Sequence, residues 1–243
     1  MGIFFTILTQ PIFNALIAIY NIVPGDLGIA IIILTIIIKL ILWPLTGKSL
    51  QSQKAMQSIQ PKINELKEKF KDDKEGQAKA TMALYKEEKV NPFSSCLPLI
   101  IQLPILLALF NVLRRSIEDP ELMASLYSFV SQPEVVNNVF IGIFDLSVRS
   151  IPLAIMAGAV QYVQAKMLET RRPPKDLAKK EGAKDEAMAA TMAKSMTYTM
   201  PLITVVFGAT LPGGVMLYWL SSNVVSVIQQ YIIFHKKDGD SKE

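Results

Sequence analysis

The sequence predicts an all-α, polytopic membrane protein: a five-helix transmembrane core with a cytoplasmic antiparallel helical hairpin and an N-terminal interfacial helix. Three observations carry that prediction. Of 243 residues, 51% are hydrophobic and only 19% charged, against about 25% charged in ordinary soluble domains. The apolar residues are gathered into runs long enough to cross a bilayer, which takes about 20 residues for about 30 Å of hydrocarbon. The basic residues are sorted by loop: 10 fall in 48–89, 8 in 166–194 and 3 after Phe234, but only 3 in 114–149. An excess of Lys and Arg marks cytoplasmic loops, so the first three segments are assigned to the cytoplasm and 114–149 to the outside. Five spans then leave the C-terminus cytoplasmic.

Residues 1–23 carry no side-chain charge and are interrupted by Thr6, Thr9, Gln10, Asn14 and Asn21. Without a basic leading region they do not resemble a secretory signal peptide, and Pro11 would strain a continuous helix. The segment 1–24 reads as a helix lying in the outer interface, with a sixth span as the alternative. Either arrangement gives the next helix the same direction.

That next helix is 27–46, LGIAIIILTIIIKLILWPLT, whose only charge is Lys39. A lysine at the centre of a spanning helix costs about 2.5 to 3.5 kcal/mol on insertion scales, so such residues face a protein interior or a hydrated cavity. The alternative is snorkelling of the ammonium to the nearer headgroups. Gly28, Thr35, Lys39 and Thr46 share one helical face.

From Gln51 the chain is soluble in character but still helically patterned. Met56, Ile59, Ile63, Leu66 and Phe70 recur at spacings of three and four, which marks an amphipathic helix. Pro61 suits the first turn of a new helix. A polar turn at 71–76 precedes Ala78, Met82, Tyr85 and Lys89 on a second helix, and the two make an antiparallel hairpin over 48–91. It serves either as a structural hairpin or as a mobile cap for an incoming chain.

Four further spans are read at 90–113, 150–165, 195–211 and 211–234, the last two divided by Pro212, Gly213 and Gly214. The third run is short and must extend past Arg149 or past Lys166. The core thus occupies 25–235, and 236–243 is a short cytoplasmic tail. Polar residues recur inside these spans: Gln102 and Asn111; Gln161 and Gln164; Thr197, Thr199 and Thr204; then Trp219, Ser222, Ser226, Gln229 and Gln230 on one side of the last helix. Each could be an interhelical hydrogen bond. Together they could line a hydrated groove around Lys39, because no acid lies in the other spans to neutralise it.

Catalytic classes are poorly supported. A single cysteine, Cys96, and a single histidine, His235, exclude an intrachain disulfide and argue against a zinc site or a Ser-His or Cys-His nucleophile. No metal, no cofactor and no enzymatic activity are expected, and no Gly-rich phosphate loop is present.

Four motifs, in order, resemble those of the YidC/Oxa/Alb family of membrane protein insertases: LTIIIKLILWPLT ending the first span, SIQPKINEL in the hairpin, ALYKEEKVNPFSSCLPLIIQLPILLALF entering the second, and LPGGVMLYWLSSNVVSVIQQYIIF in the last. The resemblance covers nearly the whole chain. It implies a short bacterial form, in the plasma (inner) membrane, without the large domain that precedes the core in some members. It implies that Lys39 stands where the family commonly has arginine, facing a hydrophilic groove that receives the polar, often acidic, tail of a substrate. Lysine keeps that charge but lacks arginine's planar fork.

Thr35, Gln102, Gln161, Gln164, Tyr218, Trp219, Ser222 and Ser226 complete the groove on this reading. Met56, Ile59, Pro61, Ile63, Leu66 and Tyr85 shape the hairpin. The implied partners are nascent membrane proteins and the lipid bilayer, with the ribosome and a Sec-type translocon as candidates and no direct nucleic-acid specificity. The tail KKDGDSKE is shorter than the basic ribosome-binding tails of some members. A channel or transporter in which Lys39 selects anions, and an assembly protein in which it binds one fixed acid, are the rival readings. No internal match between the halves supports a transporter repeat.

Overall fold

The computed structural model describes residues 2–23, 25–71, 73–91, 97–114, 119–169 and 195–239. They are mainly helical. A π turn at Phe5–Thr9 leads into α1, Gln10–Ile22. Proline offers no N–H and crowds the carbonyl four residues back, so the wider turn ahead of Pro11 absorbs the misfit that the sequence foresees. The same device recurs at Ser195–Thr199, just ahead of Pro201.

α2 runs from Leu27 to Ser58, 32 residues without a break, or about 48 Å at 1.5 Å per residue. It therefore exceeds a bilayer's hydrocarbon and carries the chain directly into the hairpin. Its N-terminus is capped by Asp26, whose Oδ1 accepts from the amides of Gly28 at 2.8 Å and Ile29 at 3.1 Å. Capping satisfies amides that the helix itself cannot. The other oxygen of Asp26 accepts from the Ile141 amide.

The chain breaks at Ile59, and α3, Gln60–Lys69, starts with Pro61 in its first turn. α4, Lys74–Glu87, is capped by Asp73, which accepts from the Gly76 amide at 2.9 Å. Ile59, Ile63 and Leu84 form the hairpin's own buried core, with Met56, Leu66, Tyr85 and Val90 packed on it. An ion pair from Lys62 to Glu88 joins the start of α3 to the end of α4, so the two helices are antiparallel. The inner face of α4 departs from the face expected: Ala78, Met82 and Lys89 are exposed and Leu84 is buried. Residues 82 and 84 lie about 200° apart around a helix, and the larger apolar contact with Ile59 and Ile63 selects Leu84.

α5 is Leu97–Arg114 and the short α6 is Pro120–Met123. Strands β1, Val139–Phe140, and β2, Phe144–Asp145, pair antiparallel with Val139 opposite Asp145. Ile141 and Gly142 both have positive φ, as a tight primed hairpin turn requires. α7, Ile151–Glu169, extends past Lys166 rather than past Arg149. α8 is Met200–Gly208 and α9 is Gly213–Gly239.

Among the described residues, three helices are long and apolar enough to cross a membrane by length and composition: Phe5–Ile22, Leu27–Met56 and Ile151–Leu168. Ile100–Arg114 and Thr197–Gly208 are shorter apolar helices. α9 has the length, but its serines, asparagine and paired glutamines keep it out of that class. It is nevertheless the hub, packing mainly on α7 and α2, while α7 also packs on α8 and α1 on α2.

The core is concentrated at one end of the bundle. Phe13, Leu16 and Ile17 of α1 meet Leu27, Ala30, Ile31 and Leu34 of α2, with Leu109 and Val112 of α5, Leu153, Ala154 and Ala157 of α7, and Val215 to Tyr218 of α9. Leu122, Met123, Val130, Val136 and Leu146 of the 119–150 segment close that end. Two glycines permit the closure. A Cβ on Gly28 would lie 2.2 Å from Phe140 Cδ2, and one on Gly213 would lie 3.1 Å from the Asp145 carbonyl. The Gly213 and Gly214 amides then donate to the carbonyls of Val148 at 2.7 Å and Leu146 at 2.9 Å, which satisfies the start of α9 with loop backbone.

Candidate functional site

Lys39 lies on α2 just beyond the capped core, a little over one turn after Thr35. The sequence change is sharp: α2 buries Leu27, Ala30, Ile31 and Leu34, then Thr35, and past that point Ile36, Ile37, Leu40 and Ile41 are exposed. Thr35 returns its hydroxyl to the Ile31 carbonyl at 2.7 Å. It therefore enters the bundle without asking for a partner on another helix.

Lys39 does find one. Its Nζ donates to Ser226 Oγ of α9 at 2.9 Å, and Ser226 in turn donates to the Ser222 carbonyl at 2.9 Å. Among the described residues no acid pairs with Lys39; ion pairs such as Lys62 with Glu88 and Lys79 with Glu75 lie in the hairpin. A half-buried ammonium whose protein partner is a single hydroxyl retains two further N–H donors. Those donors call for water or for an anionic group from another molecule.

Around this pair the polar residues divide into separate sets. On the side toward the hairpin, Gln229 Nε2 donates to Thr46 Oγ1 at 2.8 Å and to the Trp43 carbonyl at 3.1 Å, clamping α9 to α2. Next to it Gln230 is buried, with neither its amide nitrogen nor its oxygen bonded. Trp219 Nε1 is also buried without a partner. Leaving such a group dry costs about 1 to 3 kcal/mol, and buried polar atoms are in general satisfied by protein or water. Ser222, Ser226 and Gln230 lie along one face of α9 at spacings of four.

The other expected residues are committed elsewhere. Tyr218 is buried in the capped core, and its hydroxyl accepts from Gln102 Nε2 at 2.5 Å. Gln161 accepts from Thr204 Oγ1 at 2.6 Å, tying α7 to α8. Gln164 is half-buried on the same helix. Thus Lys39, Ser226 and the Ser222 carbonyl form one constellation, while Gln102 with Tyr218 and Gln161 with Thr204 are pairwise helix ties. The Gln229 clamp was visible in the sequence only as part of a polar stripe. Its partners, a threonine and a carbonyl 183 and 186 residues away, left no local signal. Gly28 sits on the predicted Lys39 face but serves as the seat for Phe140.

The sequence model of the family described as 60Kd inner membrane protein matches residues 18–240. The chain belongs to the YidC/Oxa insertase family. It is 38% identical over 212 residues to the membrane protein insertase YidC of Fusobacterium nucleatum, covering 87% of this chain and 88% of that one. It is 36% identical over 229 residues to the membrane protein insertase YidC of Pelobacter propionicus, and 38% over 228 residues to that of Syntrophus aciditrophicus. The chain spans 39% of the Pelobacter protein's length and 36% of the Syntrophus protein's. It therefore matches a short YidC almost end to end and a part of the longer ones. As a YidC-family protein it is a multi-pass protein of the bacterial inner membrane, and insertases of this family are not enzymes.

Proposed function

We propose that the chain inserts membrane proteins and helps them fold, using the polar half of its bundle as a hydrophilic groove with Lys39 as its one positive charge. The observation that carries the reading is the Lys39 ammonium, bound to Ser226 and unopposed by any acid among the described residues. A nascent chain's acidic or polar tail enters the groove and takes up the remaining donors. Its hydrophobic segment moves past α2 and α9 into lipid. Transfer to hydrocarbon, at about 0.8 kcal/mol per buried methylene, supplies most of the driving force. Local hydration and charge attraction lower the barrier for the tail, and no nucleotide is consumed.

In this reading the hairpin end is cytoplasmic, because residues 48–89 carry 10 of the 16 described basic residues and the 119–150 end carries only Arg149. The hairpin then receives incoming chains, and the ribosome and a Sec-type translocon are candidate partners on that side. Helices α2, α5, α7, α8 and α9 make the five spans, α9 crossing despite its polar face because neighbouring helices cover it.

α1 lies in the outer interface. Gln10 and Asn14 both donate to the Ser125 carbonyl, Asn21 donates to the Ser131 carbonyl, and the Asn137 amide donates to the Tyr20 hydroxyl. These contacts follow α1 from one end to the other along a single interhelical segment. A helix crossing the bilayer would leave that segment behind after a turn or two.

The test is insertion of a small protein with an acidic outer tail into liposomes holding the purified chain. Lys39→Glu is expected to slow insertion at least about tenfold, the equivalent of about 1.4 kcal/mol in the barrier. Insertion of the same substrate at the parent's rate would end the charge mechanism.

A further inference from the structure

At the capped end an open cavity of about 500 Å³ is lined by Ser147, Val148, Arg149, Thr210 and Pro212. It lies where the segment leading into α7 meets the turn between α8 and α9, joined by a backbone bridge between Arg149 and Pro212. Arg149 has no carboxylate partner among the described ion pairs. The nearest acid in sequence, Asp145, is already engaged: the Ser147 hydroxyl, at 2.5 Å, and the Ser147 amide hold its carboxyl below the usual carboxylate range. Thr210 donates its hydroxyl to the Phe207 carbonyl at 2.7 Å. Both cavity hydroxyls are thus spent as donors within the chain, and Arg149 is the donor left for a ligand.

The walls below the cavity are apolar and uncovered. Ile151 and Ile155 of α7 and Val206 and Phe207 of α8 are all more than half exposed. They lie immediately toward the middle of the bundle from Arg149 and Thr210. An isolated guanidinium at the mouth of a cavity, over an exposed apolar ridge one to two turns long, matches the division of a phospholipid into phosphate and acyl chain. Arginine's planar fork binds phosphate in two-point fashion.

We propose that this cavity holds the phosphate of a membrane phospholipid in the headgroup layer at the capped end. Arg149 is the phosphate ligand, and the lipid's chains lie along Ile151, Ile155, Val206 and Phe207. A bound lipid here fixes the depth of the α7 and α8 pair. The site does not depend on the insertase mechanism and survives if that mechanism fails.

The test is native mass spectrometry of the detergent-purified full chain titrated with phosphatidylglycerol, alone and with millimolar inorganic phosphate. The parent is expected to retain one phosphatidylglycerol that Arg149→Gln holds roughly fivefold more weakly, the usual worth of one basic residue at an anionic surface. Arg149→Lys should recover part of the loss, and Arg114→Gln, at the same end but outside the cavity, should retain the lipid as the parent does. Thr210→Leu leaves the charge and fills the cavity, so it should weaken retention even where Arg149→Gln proves difficult to fold. Equal retention by the parent, Arg149→Gln and Thr210→Leu overturns the site. Displacement of the lipid by inorganic phosphate would mean a free-anion site and overturn the lipid assignment.

Discussion

The two halves of α2 and α9 are built on opposite rules. Toward the 119–150 cap, Leu27 to Leu34 and Val215 to Tyr218 fill space, and the polar atoms at the start of α9 are satisfied by loop backbone. Toward the hairpin, the same helices meet through Lys39 with Ser226 and through Gln229 with Thr46 and Trp43, and Gln230 is buried with its amide unmatched. The first half is a closed packing problem. The second leaves hydrogen-bonding capacity open. Only the second can host a charge without an acid, because water or a substrate group can complete it. The first half in turn holds the helices together where the second cannot.

The largest stability effect should follow damage to the packed half. Leu109→Ala removes a fully buried side chain and should cost about 2 kcal/mol, the low end of core truncations, because an unpacked helix in lipid still has apolar surroundings. Unfolding in mixed micelles measures it, and insertion per folded molecule should stay near the parent's value. A strong insertion defect at unchanged stability would erase the division between the halves.

Gln229→Leu should do less. It unlinks α9 from α2 at Thr46 and Trp43 and should cost about 1 kcal/mol, read by the same unfolding assay. A loss exceeding that of Leu109→Ala would show that the polar half, not the packed half, carries the bundle's stability.

Lys62→Ala should do least, with no measurable shift in global unfolding, since exposed ion pairs contribute little. Its effect should be confined to faster proteolysis at the turn after Phe70. Glu88, by hydrogen bond and by charge, raises the Lys62 pKa above the ordinary lysine value. Lys62 therefore stays charged throughout the neutral range, and on the alkaline side the pair dissolves only as pH rises through the raised value. Between pH 6 and 9 the difference in proteolysis between Lys62→Ala and the parent should not change.

Much of this was legible in the chain. The run around Lys39, the Pro61 helix start, the Ile59 and Ile63 face and the Pro212-Gly213-Gly214 break are local patterns, and each takes its expected place in the structure. The candidate site was legible as a list of polar residues but not as a set of partners. Periodicity shows which face of a helix is polar and says nothing of which helix it meets. Gln161 and Ser226 read alike in the sequence, yet one ties α7 to α8 and the other holds Lys39.

The sequence by itself determined the membrane class and the apolar helical runs and marked Lys39 as the charge inside one of them, because hydrocarbon admits only backbone that satisfies itself and makes every charge conspicuous. The tertiary structure alone decided that α2 continues unbroken into the hairpin, that Leu84 rather than Met82 turns inward, that Gly28 seats Phe140 and that Lys39 rests on Ser226. Those choices depend on shape and hydrogen-bond matching between residues distant in the chain, and no local pattern encodes them.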